Sequence, residues 1–406
     1  MAKILFLAHR VPFPPNKGDK IRAYNILEHL AARHQIWLGA GADDAADLQH
    51  LPMARARYAD AYFGAPGRLG VVPKMALGAM AGRPMSVARF RHGGLERWID
   101  TVLRDVKPDL VYIFSSALAQ YVTGRTAPGT AVIVDFVDAD AEKWRAFADR
   151  TSGPMHLVYA AEFRNLVRYE AASLAAADAG IMVSETERKL QAGFAPADAE
   201  KLCVIANGVD TDFFKPPFGS APAQSQDIVF TGTMDYLPNI DAVTWFAREI
   251  FPRVRAQFPD APFKIVGAKP SAEVLALANL PGVEVTGAVP DVRPYLFNAA
   301  VIVAPLRIAR GIQNKVLEGM AASRTTVCTP EALDGIEAQV GRDVLVASGA
   351  ETFAQTVIDV LAGRATGVDA AGRAYVETHL RWQERLGALD RLVDQVLHRR
   401  SGQASA

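Results

Sequence analysis

Short apolar runs alternate with longer amphipathic segments along almost the whole chain. In the first half the runs are KILFLA, QIWLGA, DAYFG, LVYIF, AVIVDFV and AGIMVS, and in the second DIVFTGT, FKIVGA, VEVTG, AVIVAPL, TTVCTP and DVLVA. Such runs, rich in Val and Ile and lacking a polar face, are the pattern of parallel strands buried on both sides. Between them, 20–32, 95–106 and 155–177 carry helical periodicity; in the last, Tyr159, Phe163, Leu166 and Ser173 share one face. Strand and helix in alternation predict an α/β chain with doubly wound parallel sheets.

The alternation is interrupted once, at DTDFFKPPFGSAPAQSQD, where proline, glycine, serine and glutamine cluster as in a linker. The chain has 406 residues, more than one hydrophobic core normally serves, since cores stop growing near ~250–300 residues. The reading is therefore a Rossmann-like domain over 1–209, a linker over 210–226 and a second Rossmann-like domain over 227–375. A helix over 376–400 is expected to pack back on the first domain. Ligands of such sheets bind outside the carboxyl ends of the strands, so the loops that follow strands are where chemistry is expected, and the cleft between two such domains is the default site.

Composition narrows this picture little. Half the residues are hydrophobic, and 44 Lys and Arg balance 44 Asp and Glu, which gives no argument for a nucleic-acid partner. One stretch is locally basic: within 67–98, Arg68, Lys74, Arg83, Arg89, Arg91 and Arg97 face one acid, Glu96. Peripheral membrane contact is expected there if anywhere. Cys203 and Cys328 sit in apolar runs without metal-site spacing and read as buried strand thiols in a reducing compartment. The apolar stretch near the start, Ile4 to Ala8, is shorter than a signal-peptide core. No run approaches the ~18 apolar residues of a membrane span. A cytoplasmic location, extending to the inner face of a membrane, is the expectation.

Five loops carry candidate chemistry. After the first strand, HRVPFPPNKGDKIR offers Gly18 for close backbone approach and Asp19 as a helix cap, at a helix start that favours an anion. After the fifth, VDFVDADAEKW gathers Asp135, Asp138, Asp140 and Glu142; a polar contact with substrate, a divalent-cation clamp at Asp138-Ala139-Asp140 and simple capping are the alternatives. Asn207-Gly208 is a turn signal ahead of the linker. In FTGTMDYLPNID, Gly232 and Thr233 suit close approach of a phosphate, and Asn239 or Asp241 can begin a helix. In PLRIARGIQNKVLEGMAA, the strand should end near Leu306 and the helix start near Gln313 or Asn314. Gly311 then allows close approach, Arg310 and Lys315 bring positive charge to a helix start, and Glu318 can accept from two ribose hydroxyls.

The two-domain pattern, NGVD at the hinge and KVLEGMAA after an apolar strand resemble the group 1 (family 4) glycosyltransferases of GT-B fold. FLAHRVPFPPNKGDKIR, DFVDADAEKW and FTGTMDYLPNIDAV are most similar to the sugar transferases of exopolysaccharide and PEP-CTERM/exosortase loci. The resemblance implies retaining, metal-independent transfer from a nucleotide-diphosphate sugar to a glycan or polyprenyl-linked acceptor, with no other cofactor. It implies that Gly18 touches donor phosphate, that the backbone at Gly311 and Ile312 meets the donor sugar and that Glu318 binds ribose. With the loop residues read above, the donor-binding candidates are Gly18, Asn207, Gly232, Thr233, Asn239, Gly311, Ile312, Asn314 and Glu318, and the catalytic candidates Asp138, Arg310 and Lys315. Glu318 corresponds to the second glutamate of the family's E-x7-E motif.

Three departures qualify the resemblance. Arg310 stands where the family has the first glutamate; Thr233 and Asn239 replace an Arg and a Lys that hold the diphosphate; the usual His of the fifth-strand loop is missing, leaving Asp135 or Asp138. The charge absent at 233 and 239 is expected to be restored by Arg310 and Lys315. A nucleotide-sugar epimerase of the same architecture, or a catalytically degenerate donor-binding partner subunit, are the alternative readings.

Overall fold

The structure, a computed structural model, describes residues 1–65, 73, 75, 78, 82–217, 225–309 and 311–404. The chain divides into two compact units, Met1–Ala206 with Leu386–Ala406, and Asn207–Arg385. Each is built on one sheet in which every strand pair is parallel.

The first unit contains β1 (Lys3–Ala8), β2 (Gln35–Gly41), β3 (Asp60–Gly64), β4 (Leu110–Phe114), β5 (Ala131–Val137), β6 (Ala179–Met182) and β7 (Leu202–Val204), in the order β3-β2-β1-β4-β5-β6-β7. The central strands are apolar throughout: β4 is buried along its whole length, and β1 at all but its first residue. The helices used below are α1 (Gly18–Ala31), α2 (Asp140–Asp149), α3 (Pro154–Ala175) and α4 (Glu185–Phe194). The strand order reverses direction between β1 and β4, so the loops after these strands diverge and leave a crevice at their carboxyl ends.

The second unit contains β8 (Ile228–Thr231), β9 (Phe263–Val266), β10 (Val283–Gly287), β11 (Val301–Ala304), β12 (Thr326–Cys328) and β13 (Leu345–Val346), ordered β10-β9-β8-β11-β12-β13. Its helices include α5 (Leu237–Trp245), α6 (Asn314–Ala321) and α7 (Val368–His379). The corresponding reversal lies between β8 and β11. The final helix, α8 (Trp382–Ala404), begins in this unit and ends in the first, where Asp390 pairs with His29 at 3.0 Å and Arg33 at 2.8 Å.

Both sheets follow from strands too apolar to face water, and the two-domain α/β reading holds. Local boundaries differ where proline intervenes. β11 ends at Ala304 and not near Leu306, because Pro305 has no N–H for the ladder. α5 starts at Leu237, before Asn239 and Asp241, because Pro238 favours the first turn of a helix. Asp19 does not cap α1: it lies one residue inside the helix, and its carboxylate is turned toward His9 and Arg10. Cys328 is buried as expected, whereas Cys203 is only half-buried.

Candidate functional site

In the second unit the loops after β8 and β11 meet at the point where strand order reverses. Gly232 follows β8, and a Cβ there would lie 2.7 Å from Asn239 Nδ2, so the absent side chain is what lets Asn239 approach. Asn239 is buried and donates from Nδ2 to the Thr233 carbonyl at 2.8 Å. Its Oδ1 accepts from Lys315 Nζ, also at 2.8 Å. Lys315 lies on the first turn of α6, 76 positions away in sequence. Its ammonium also stands 4.8 Å from the centroid of the Phe230 ring on β8, within cation–π range.

The approach to α6 is bent by Gly311, whose φ of 60° is left-handed and costs a side-chain-bearing residue about 1–2 kcal/mol. The buried Ile312 anchors the turn, Gln313 Nε2 donates to the Gly311 carbonyl at 3.1 Å, and α6 begins at Asn314 as its sequence suggests. Asn207 Nδ2 donates to Asn314 Oδ1 at 3.3 Å, bringing the turn before the linker to the same helix start. Gly208 is fixed by proximity, since a Cβ there would lie 2.7 Å from the Trp382 backbone.

Electrostatically the site is poised near neutrality. Burial lowers Lys315 from the usual lysine range to about 8, with the charge of Glu318 opposing the shift. Burial likewise raises Glu318 to about 7, opposed by Lys315. Each group is therefore close to changing charge at neutral pH, and an anion beside Lys315 would stabilise its protonated form.

Of the expected site residues, the second unit thus joins Gly232, Thr233, Asn239, Gly311, Ile312, Asn314, Lys315 and Glu318 along two adjoining loops and one helix start, with Asn207 reaching that start from the turn before the linker. Arg310 lies outside the described residues. Gly18 and Asp138 belong to the first unit, at the carboxyl ends of its strands.

Around those strand ends the structure settles what each acid of the fifth-strand loop does. Asp135 is completely buried and bound by Arg22, with Nη2 at 3.0 Å and Nε at 3.1 Å, and by the Tyr112 hydroxyl at 2.8 Å. Burial raises its pKa against the pull of Arg22 and Tyr112. Asp135 is therefore a structural acid. Asp138 and Asp140 share Lys143, at 3.3 and 2.6 Å, and Glu142 pairs with Arg145 at 2.5 Å. None of these acids caps α2; Glu187 Oε2 instead accepts from the Ala139 amide at 2.6 Å. Among the described residues no group of three or more His, Cys, Asp or Glu is placed to hold a metal ion.

Other features of this rim are not apparent in the sequence. Val137 and Ser115, at the carboxyl ends of adjacent β5 and β4, have φ of 69° and 75°; a β-branched residue in this region is strained. Asp135 Oδ1 accepts from the Val137 amide at 3.1 Å and helps hold it there. His9 lies 3.3 Å from Asp19, which Arg10 also binds at 2.6 Å. Burial would raise the Asp19 pKa, but these two partners hold its carboxyl well below the usual range. The sequence signal for this group was adjacency alone, HR before the loop and GD after it.

Within the basic stretch 67–98, residues 67–72, 74, 76, 77 and 79–81 lie outside the described residues, Arg68 and Lys74 among them. Arg91 there pairs with Glu96 at 3.2 Å. No helix of the described residues is long and apolar enough to cross a membrane.

Residues 225–363 match the family model of group 1 glycosyl transferases. This segment contains every expected donor-binding residue of the second unit except Asn207. No curated protein sequence matches the chain. Among solved structures, sucrose-phosphate synthase from Thermosynechococcus elongatus is similar with a TM-score of 0.73 at 17% identity, over 98% of this chain and 100% of that one. Anabaena HepE in complex with UDP and glucose gives 0.68 at 13%, over 97% and 100%. WaaG, a glycosyltransferase involved in lipopolysaccharide biosynthesis, gives 0.68 at 14%, over 95% and 98%. The chain has the GT-B fold of these glycosyltransferases, and its residues 225–363 match the group 1 glycosyl transferase family.

Proposed function

We propose that the protein transfers a sugar from a nucleotide-diphosphate donor to a glycan or lipid-linked acceptor, with retention at the anomeric carbon, in exopolysaccharide biosynthesis. The observation that carries this reading is the meeting of Lys315 with Asn239 at 2.8 Å inside the segment that matches the family model. Asn239 stands where the resemblance calls for a positive charge, and Lys315 from the neighbouring helix brings one to it. In this reading Lys315 neutralises the diphosphate, assisted by the α6 amides. Ionised Glu318, one turn further on, accepts from the ribose hydroxyls. The turn at Gly311 and Ile312 presents backbone to the donor sugar. UDP bound to HepE makes a uridine nucleotide the first candidate.

In the transfer step the bond between the anomeric carbon and the diphosphate breaks, and the acceptor oxygen bonds to that carbon. The acceptor proton passes to the departing phosphate. The protein's part is to position both substrates and stabilise charge growing on the leaving group, without a metal ion. Asp138, part-buried and paired with Lys143 at 3.3 Å, is the acid proposed for a polar contact with substrate, since Asp135 is committed to Arg22. The contact proposed for Gly18 with donor phosphate rests on the resemblance, and that for Arg310 with the diphosphate on the charge it would restore in place of the Arg and Lys missing at 233 and 239.

Incubation of the protein with UDP-sugars and a polyprenyl-linked glycan, with anomeric configuration of the product read by NMR, tests the reading. A new linkage of the donor's own configuration is expected, unaffected by EDTA. Conversion of the donor sugar without acceptor would instead indicate an epimerase.

A further inference from the structure

We propose that the hairpin formed by α2 and α3 is a docking surface for an anionic lipid bilayer, seated on the acid headgroups by arginines and in the interface by its apolar tip. Four of the large apolar side chains exposed among the described residues lie within twelve positions here: Phe147, Met155, Leu157 and Val158, exposed by 42, 46, 68 and 39%. Scattered apolar exposure needs no explanation, but a concentration at one tip does. The tip turns at Gly153, with φ of 73°, and Pro154 opens α3. Behind it Trp144, Phe147 and Tyr159 pack ring to ring at 5.8–5.9 Å. Trp and Tyr are the side chains that favour the membrane–water boundary.

The charge on this hairpin selects the occupant. On α3, Leu157, Arg164 and Arg168 stand at i, i+7 and i+11, which places them on one face of the helix, about 16 Å from first to last. All three are exposed, as is Arg150 at the tip. Arg150, Arg164 and Arg168 have no ion pair or side-chain hydrogen bond among the described residues. The acids nearby are otherwise engaged: Glu142 with Arg145, Asp140 with Lys143, and Glu162 turned inward to accept from the Met85 and Ser86 amides at 2.7 and 2.8 Å. Asp149 is the exception. A surface with excess guanidinium beside exposed Phe, Leu and Met complements phosphate headgroups over acyl chains, where each group gains a partner. The contact of Glu162 also ties the 82–98 stretch to the same hairpin. The α2 end nearest Asp138 would then hold that proposed substrate contact close to a lipid-linked acceptor.

The test is co-sedimentation of the full chain with vesicles of phosphatidylglycerol in phosphatidylcholine, against phosphatidylcholine alone. The wild-type protein is expected to partition onto the anionic vesicles and to be released as salt is raised. Replacing Phe147 and Leu157 by Asp, and separately Arg164 and Arg168 by Gln, should each lower partitioning by about tenfold or more, while melting temperature and UDP binding stay as in the wild type. UDP binding also separates this inference from the proposed activity: its absence in all proteins would defeat the latter and leave the vesicle result standing. Wild-type protein that stays in the supernatant, or variants that sediment as it does, overturn the docking surface. So does a concentration-dependent dimer that the Asp variants abolish, which would assign the tip to a second copy of the chain.

Discussion

Lys315 and Glu318 hold the most telling chemistry because burial moves both toward neutral pH from opposite sides. Glu318, raised from 4.5 to about 7, favours its protonated form in the folded protein, so the stability it contributes is complete below pH 4.5 and is lost as pH rises through about 7. Lys315, lowered from 10.5 to about 8, contributes stability above its unfolded value that is lost as pH falls through about 8. Near pH 7–8 the empty site therefore carries both penalties, and an anion that stabilises the lysine's charge relieves one of them. Nucleoside diphosphate affinity, measured calorimetrically against pH, should fall on the alkaline side of about 8 and on the acid side of about 7. The alkaline limb should vanish in Lys315→Met, and the acid limb in Glu318→Gln. At neutral pH, Lys315→Met should weaken binding by about tenfold to a hundredfold, the worth of one charge-assisted hydrogen bond. Affinity independent of both residues would place the diphosphate elsewhere. Gly232→Ala should act on the same contact indirectly: the new Cβ, 2.7 Å from Asn239 Nδ2, displaces the acceptor of Lys315. About tenfold weaker binding is expected, together with a lowered melting temperature, because the buried Asn239 must shift to admit the Cβ.

The elements were largely legible and their contacts were not. Apolar runs marked the strands because a strand covered on both faces has no polar positions to blur it. The start of α6 at Asn314 was readable from the helical pattern of KVLEGMAA. In contrast, Asp19 looked like a cap and Asp135 like a candidate for the substrate side, because a short loop shows which acids are present but not which cation faces them. Asp135 meets Arg22 across 113 positions, where no local pattern operates. The structure makes that pair a hub between α1 and the central strands, since Arg22 Nη1 also donates to the Ile205 carbonyl at 2.8 Å beyond β7. Removing one partner of a buried pair leaves the other charge uncompensated, at a cost of roughly 3–5 kcal/mol. Arg22→Met should therefore lower the melting temperature far more than Glu318→Gln does. Equal melting temperatures for these two variants would show that the network adds little to the fold.

For the molecule as a whole, the two-sheet plan followed from chain length and from one proline- and glycine-rich interruption, and the fold agrees with solved structures at 13–17% identity. The same plan says little about which sugar moves, because that depends on loop shape. The proposed donor contacts concentrate where strand order reverses in the second unit, between β8 and β11. The most direct measurement is a thermal-shift and calorimetric comparison of wild type, Lys315→Met and Glu318→Ala with UDP, other nucleoside diphosphates and their sugars. Ligand bound to the native state alone raises the melting point. Stabilisation of the wild type by a nucleoside diphosphate, strongly reduced in both variants, is the predicted result; no stabilisation by any of them, or equal stabilisation of all three proteins, would contradict a nucleotide site at the start of α6.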